Sequence, residues 1–455
     1  MQHFFYILCY LSFLLILGVI IKSKIKFFQE LFIPASVVGG GIGLLISSEV
    51  AGKIFGISIP SSWTKDISLL PGILIVPVIA SIPLGMELKL KNKKGEIRDV
   101  LVTGFILFII TFLQLGVGYF INFFYKYILK KPLYPTFGAE LNSGFAGGHG
   151  TAGMIGRTLQ EMNIDYWATA QGVAVTTATF GLVGGIILGI FLINKACRNG
   201  ETVLLKNPSS IPYQLKRGYY TDITKHQSLG RETMLSSSID TLAFHIAIVF
   251  SVCGISYIIL NFIKKYKIPI LSSVSIWIFA MLLMMILWSI MKKMELDWCI
   301  DVKIKGRVSA LFTEFAIVSA IASLPLKAIF TYFFPILIMI ILGFLTTWYA
   351  IKFYCYKYFK NNYPFERAIS MAGTSFGVFF TGVLLLKICD PDLSSPVLGD
   401  YSLGFSMTAF LGPFLIISSI NLSLISPIIP ISLHLGLILI FSFILSRMKV
   451  KDSSF

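Results

Sequence analysis

Apolar residues fill this chain in long blocks, separated by short polar stretches. A transmembrane helix needs about 20 mainly apolar residues. Blocks of that kind lie near 4–21, 31–47, 67–86, 100–125, 168–193, 239–262, 269–290, 308–328, 329–351, 400–425 and 427–446. The first runs directly into Ile21-Lys22-Ser23-Lys24 with no small-residue cleavage site, so it reads as a retained helix rather than a signal peptide. Two further segments, 136–162 and 366–389, are apolar but rich in Gly, Ser and Thr, which makes them poor single helices and good re-entrant hairpins. The longest polar stretch, 194–238, is basic, contains Pro208 and Pro212, and reads as a cytoplasmic linker. The expectation is an all-α polytopic membrane protein with two re-entrant hairpins.

Composition narrows the class further. Of 455 residues 56% are hydrophobic and 13% charged, against roughly 25% charged in a soluble domain. The mean hydropathy is +0.81. So little polar surface excludes a soluble enzyme, a disordered chain and a secreted disulfide scaffold. The net charge of +16 does not point to nucleic acid, because its 38 basic residues fall between apolar blocks and form no compact basic domain. Cys9, Cys197, Cys253, Cys299, Cys355 and Cys389 form no C-x-x-C pair, so neither zinc nor a disulfide framework is indicated.

Charge distribution sets the orientation. With the N-terminus outside and both hairpins non-crossing, there are eleven crossings. The cytoplasmic loops then carry 27 Lys or Arg and the outer loops 8, as the positive-inside rule requires. The C-terminus is then cytoplasmic.

Short strings recur in the same order in the two halves. Ile33-Pro34 answers to Ile268-Pro269, Ala80-Ser81-Ile82-Pro83-Leu84 to Ala322-Ser323-Leu324-Pro325-Leu326, Gly147-Gly148-His149-Gly150 to Ala372-Gly373-Thr374-Ser375, and Ala178-Thr179-Phe180-Gly181 to Thr408-Ala409-Phe410-Leu411. Five crossings per repeat would turn the second copy upside down, so the expected architecture is an inverted-repeat secondary transporter with two re-entrant hairpins and broken helices. The division is 1–193 for the first repeat, 194–238 for the linker, 239–425 for the second repeat and 426–455 for an additional helix and tail. Pro71, Pro77, Pro83, Pro325, Pro335 and Pro413 inside apolar blocks suggest helices broken where backbone lines a cavity.

The chemistry concentrates in Asn142-Ser143-Gly144-Phe145-Ala146-Gly147-Gly148-His149-Gly150-Thr151-Ala152-Gly153 and in Thr176-Thr177-Ala178-Thr179-Phe180-Gly181-Leu182-Val183-Gly184-Gly185. Glycines let the backbone approach a ligand, and N–H groups at a helix start favour an anion. Freed carbonyls and Thr or Ser hydroxyls suit sodium. Packing of small residues between helices is the competing reading.

Gly147-Gly148-His149-Gly150-Thr151, followed by Ala178-Thr179-Phe180-Gly181-Leu182-Val183, resembles the bacterial sodium/glutamate symporter family, as does the Ile33-Pro34 block leading to Gly39-Gly40. The resemblance runs in outline over roughly residues 1–425. It implies sodium-coupled glutamate uptake by a homodimer of inverted-repeat protomers in a bacterial cell membrane. It breaks in the second hairpin, where Gly373-Thr374-Ser375-Phe376-Gly377-Val378-Phe379-Phe380-Thr381 replaces a His- and Gly-rich string, and 427–446 is additional to the pattern.

These readings give a candidate site. Ser143, Gly147, Gly148, His149, Gly150 and Thr151, with Thr374 and Ser375, surround an anionic solute; Thr176, Thr179 and Glu314 hold sodium. His149 could bind a carboxylate, move a proton or simply pack, and packing is favoured for His245. Arg157 either meets the solute near the mouth or snorkels to the surface. Glu140 is a candidate proton or ion site, though an interfacial place suits it better, and Asp390, Asp392 and Asp400 are expected in a solvated loop. The alternative within transport is a cation/proton antiporter, which wants a buried carboxylate at a helix break, but no Asp lies mid-span. An enzyme is disfavoured because no nucleophile–base–acid set and no H-E-x-x-H pair is present. No cofactor is implied beyond the coupling ion; the partners are the solute, sodium and the lipid bilayer.

Overall fold

The computed structural model describes residues 2–30, 33–47, 50, 59–86, 94–205, 224, 226, 228–266, 276–360, 362–390 and 395–448. Ile268-Pro269, Asp392, linker residues 206–223, 225 and 227, and the tail after residue 448 lie outside the described residues. Every regular element among the described residues is helical: α1 (Gln2–Lys24), α2 (Lys26–Glu30), α3 (Ala35–Ile46), α4 (Ser61–Ser81), α5 (Lys94–Phe123), α6 (Ala139–Phe145), α7 (Gly148–Glu161), α8 (Trp167–Arg198), α9 (Thr241–Lys265), α10 (Ile276–Lys293), α11 (Val302–Ala322), α12 (Leu326–Thr331), α13 (Phe333–Phe359), α14 (Pro364–Phe376), α15 (Phe379–Cys389), α16 (Val397–Ile425) and α17 (Ile428–Arg447).

Among these residues nine helices are long and apolar enough to cross a membrane, two fewer than the hydrophobic blocks predict. The block at 31–47 yields only α3, whose 12 residues rise about 18 Å at 1.5 Å each. That is short of a ~30 Å hydrocarbon core. Pro34 starts α3 late, and Ser47 ends it in extended backbone. The other is α11, whose first two turns carry Lys303, Lys305 and Arg307.

The prolines divide into two kinds. Pro71 and Pro77 sit inside a continuous α4, Pro413 inside a continuous α16, and Pro335 in the first turn of α13. Only at Pro83 and Pro325 does a helix stop, after Ser81 and Ala322. In membranes neighbouring helices can satisfy the backbone groups a proline frees, so an interior proline need not end a helix.

Helix contacts rest on small residues, as expected where lipid supplies no hydrophobic drive between helices. A Cβ on Gly18 would fall 2.1 Å from Ala35 O, which sets α1 directly against α3. Pro71 of α4 fills the place of a side chain at Gly153, and Ile75 approaches Gly150, so α4 lies along α7. Pro325 occupies the space beside Gly172 of α8. On the other flank, α17 packs through His434, stacked on Tyr119 of α5 at 6.4 Å and bonded to Ser419 of α16 at 3.0 Å.

The two halves run through a matching element order. Four helices (α1, α3, α4, α5), a hairpin (α6–α7) and a long helix (α8) are followed by four helices (α9, α10, α11, α13), a hairpin (α14–α15) and a long helix (α16). Corresponding members pack on each other: α4 on α11, and α5 on α13.

Candidate functional site

The site is built on α8. Tyr166 caps its start and stacks on Tyr134 at 4.9 Å. These two tyrosines flank α6–α7, so the segment begins and ends on one side and is a true hairpin. Along α8 the outward leg passes from Thr177, whose hydroxyl donates to Glu140 O at 2.8 Å, to Gly181, beside the ring of Phe145. The return leg runs back from Thr179, 3.0 Å from His149, to Gln171, against Gly156. The turn between the legs is possible because Gly148 adopts φ +63, a region L-residues avoid.

The second hairpin enters from the opposite end of α8. At its base Glu366 Oε1 accepts a hydrogen bond from Val203 N, just past the end of α8, at 2.7 Å. The legs lie so close that a Cβ on Gly373 would touch the Gly382 backbone at 2.7 Å. The apex, Phe376-Gly377-Val378, reaches Gly181: a Cβ there would stand 2.4 Å from Phe376 O. Gly181, Gly185 and Gly189 form one stripe that seats Phe376 and Leu385. These α8 glycines serve packing, as small-residue stripes commonly do.

The two tips therefore meet. A Cβ on Gly148 would be 2.7 Å from Val378 Cγ1, and Phe145 and Phe376 lie edge to face at 6.0 Å. The contact falls near Gly181, about 21 Å along an α8 that is about 48 Å long.

Around this junction the predicted residues separate. Thr151 donates to the Ser143 carbonyl and lies 3.1 Å from Gly148 O, which ties the legs of the first hairpin together. Gly147 at the start of α7 has no side chain to cap it, and the N–H groups of that first turn are of the kind that can meet an anion. Thr179 donates to Val175 O at 2.9 Å, which makes the nearby His149 Nε2 the donor and leaves Nδ1 an acceptor in the neutral ring. Thr374 bonds to the hydroxyl of Tyr401, which in turn lies 3.0 Å from Phe379 O. Ser375 is buried at the second tip. Thr176 returns its hydroxyl to Gly172 O at 2.8 Å and makes no bond to either hairpin.

Other expectations are corrected. Glu314 is exposed on α11, in the field of Lys22, and does not join the tips; its helix simply turns that position outward. Glu140 is fully buried rather than interfacial, bonded to Tyr134 OH at 2.9 Å and Gly138 N at 2.7 Å. Asp390 and Asp400 are buried rather than solvated. Asp390 accepts from the backbone and hydroxyl of Ser395, and Asp400 pairs with Arg367 at 2.7 Å. Arg367 is itself only 1% exposed, and its guanidinium lies 4.2 Å over Phe359. A buried charge persists only when paired and hydrogen-bonded, which explains this clustering at the base of the second hairpin. Arg157 pairs with Glu161 at 2.8 Å over Tyr257. His245 lies within hydrogen-bond reach of Thr241 O and accepts from Asp301 N, a packing role.

Sequence reasoning missed the group that joins the tips. Gln114 of α5 donates to Ser375 O at 2.8 Å and to Thr347 Oγ1 at 3.1 Å, while its Oε1 accepts from Asn142 Nδ2 at 2.8 Å. All three partner residues, Ser375, Thr347 and Asn142, are buried. The only signal in the sequence was an amide inside an apolar block.

The site consists of two apposed helix breaks with hydroxyls, an imidazole and helix-start N–H groups, and no cluster of three or more His, Cys, Asp or Glu that could hold a metal occurs among the described residues. Comparison with curated proteins finds no match. The sodium/glutamate symporter family model matches residues 3–383, ending inside the return leg of the second hairpin. The chain is a multi-pass membrane transporter and belongs to the sodium/glutamate symporter family.

Proposed function

We propose that the protein imports an anionic amino acid such as glutamate together with sodium. The observation that carries this reading is the meeting of two hairpin tips, entered from opposite ends of α8, at mid-length of that helix. Ser143, Gly147, Gly148, His149, Gly150 and Thr151 of the first hairpin and Thr374 and Ser375 of the second surround the solute. Uncapped N–H groups at the start of α7 face its carboxylate. Thr179, aided by Thr176 and carbonyls freed at the breaks, holds sodium, and the 3.0 Å link from His149 to Thr179 joins the two sets. Burying a carboxylate in the membrane without compensation is prohibitive. A neighbouring sodium supplies compensation, so each ligand strengthens binding of the other.

The matching element order and the opposed hairpins support an inverted repeat, with residues 1–193 and 239–425 as the copies and 194–238 as a cytoplasmic linker. The 27-to-8 charge split supports a cytoplasmic C-terminus. Membership of the family supports a homodimer in a bacterial cell membrane. Thermal shift of the purified protein with glutamate tests the binding step. Stabilisation by glutamate should be larger in sodium than in choline at equal ionic strength, and equal stabilisation in the two would contradict coupling.

A further inference from the structure

The amide chain between the tips has a fixed direction. Ser375 O can only accept, so the group of Gln114 facing it must be the NH2, and Gln114 Oε1 must face Asn142. Asn142 therefore spends its NH2 on Gln114, because the reverse orientation would set two carbonyl oxygens against each other. Its Oδ1 is left on the other side with no hydrogen-bond partner among the described residues, and it is not among the fully enclosed polar atoms. Asn142 lies one residue before Ser143 and one turn before the break in the first hairpin.

We propose that Gln114 is a positioning residue that fixes Asn142 Oδ1 as an acceptor for a cationic group held between the tips. This inference rests on the symport reading and deepens it. An acceptor-only atom repels a carboxylate and accepts from an ammonium or coordinates sodium. The shared chemistry is thus a positive charge, supplied either by the amino group of the solute or by the coupling ion. Helix-start N–H groups of α7 would then meet the carboxylate while Asn142 meets the opposite charge.

The test uses the full-length protein in liposomes, with glutamate, glutarate (which lacks the amino group) and sodium as probes. Wild type, Asn142→Ala and Gln114→Leu are compared for glutamate KM, inhibition by glutarate and half-saturating sodium. If the ammonium is the ligand, Asn142→Ala raises the glutamate KM about tenfold and leaves glutarate inhibition unchanged, in keeping with a lost charge-assisted hydrogen bond. If sodium is the ligand, the half-saturating sodium concentration rises instead. Gln114→Leu shifts the same quantity in the same direction but less. A merely structural role would weaken glutamate and glutarate alike with sodium dependence unmoved, and that result overturns the proposal. Should Asn142→Ala not fold, Asn142→Ser is read in the same way. Loss of sodium-dependent uptake in wild type would sink the symport reading itself.

Discussion

At the residue scale, Gly148 is constrained twice over, by its backbone conformation and by the second hairpin. Its φ of +63 and the 2.7 Å approach of Val378 leave no room for a side chain. A left-handed non-glycine residue costs about 1–2 kcal/mol. Gly148→Val therefore pushes the tips apart as well as straining the turn, and uptake should vanish. Size-exclusion chromatography should still show a folded protein, because the strain is local. Thr179 makes the second residue-level case. Thr179→Val removes both the partner of His149 and a hydroxyl assigned to sodium. Half-saturating sodium should rise about tenfold, with a smaller change in glutamate KM at saturating sodium, as uptake titrations would show. Gly147–Thr151 was legible in the sequence because glycine clustering is a local signal. Gln114 was not, because its meaning comes from partners on α13 and α14, 233 and 261 residues away.

At the scale of elements, the second hairpin is anchored by charge at its base. Beside it, just past the end of α8, Glu201 accepts from the Tyr356 hydroxyl and pairs with Lys352 at 3.4 Å. The Tyr356 hydrogen bond, with Asn199 and Lys352 adding to it, holds the Glu201 carboxyl below its ordinary range against the opposing effect of burial. A depressed carboxyl contributes stability above its unfolded value and loses it as pH falls through the folded one. Glu201→Gln should lower the melting temperature at pH 7, and that deficit should close as wild type is acidified below the normal glutamate range. The hairpins themselves were readable from their Gly, Ser and Thr content, whereas the burial of Glu140, Asp390 and Asp400 was not. A carboxylate beside an apolar block looks the same in sequence whether it meets water or Arg367, and only the packing of α14 against α16 decides.

At the scale of the whole molecule, hydrophobic blocks revealed the helical class and most spans. Two blocks give helices that are shorter or less apolar than the rest, α3 because Pro34 starts it late and α11 because Lys303, Lys305 and Arg307 lower its hydropathy. The proposed orientation rests on charge alone. On a cysteine-free background, Ser62→Cys should label from outside with an impermeant reagent in intact cells. Ser210→Cys and Ser453→Cys should label only after permeabilisation. External labelling at position 210 would overturn the assigned topology.

The central claim is that two opposed hairpin tips bind an anionic amino acid and sodium together. Uptake of radiolabelled glutamate into liposomes holding the purified protein tests it most directly, under an inward sodium gradient, under an inward proton gradient without sodium, and under neither. Concentrative uptake should appear only with the sodium gradient. Equal uptake driven by protons in the absence of sodium would contradict the account and favour a proton-coupled carrier.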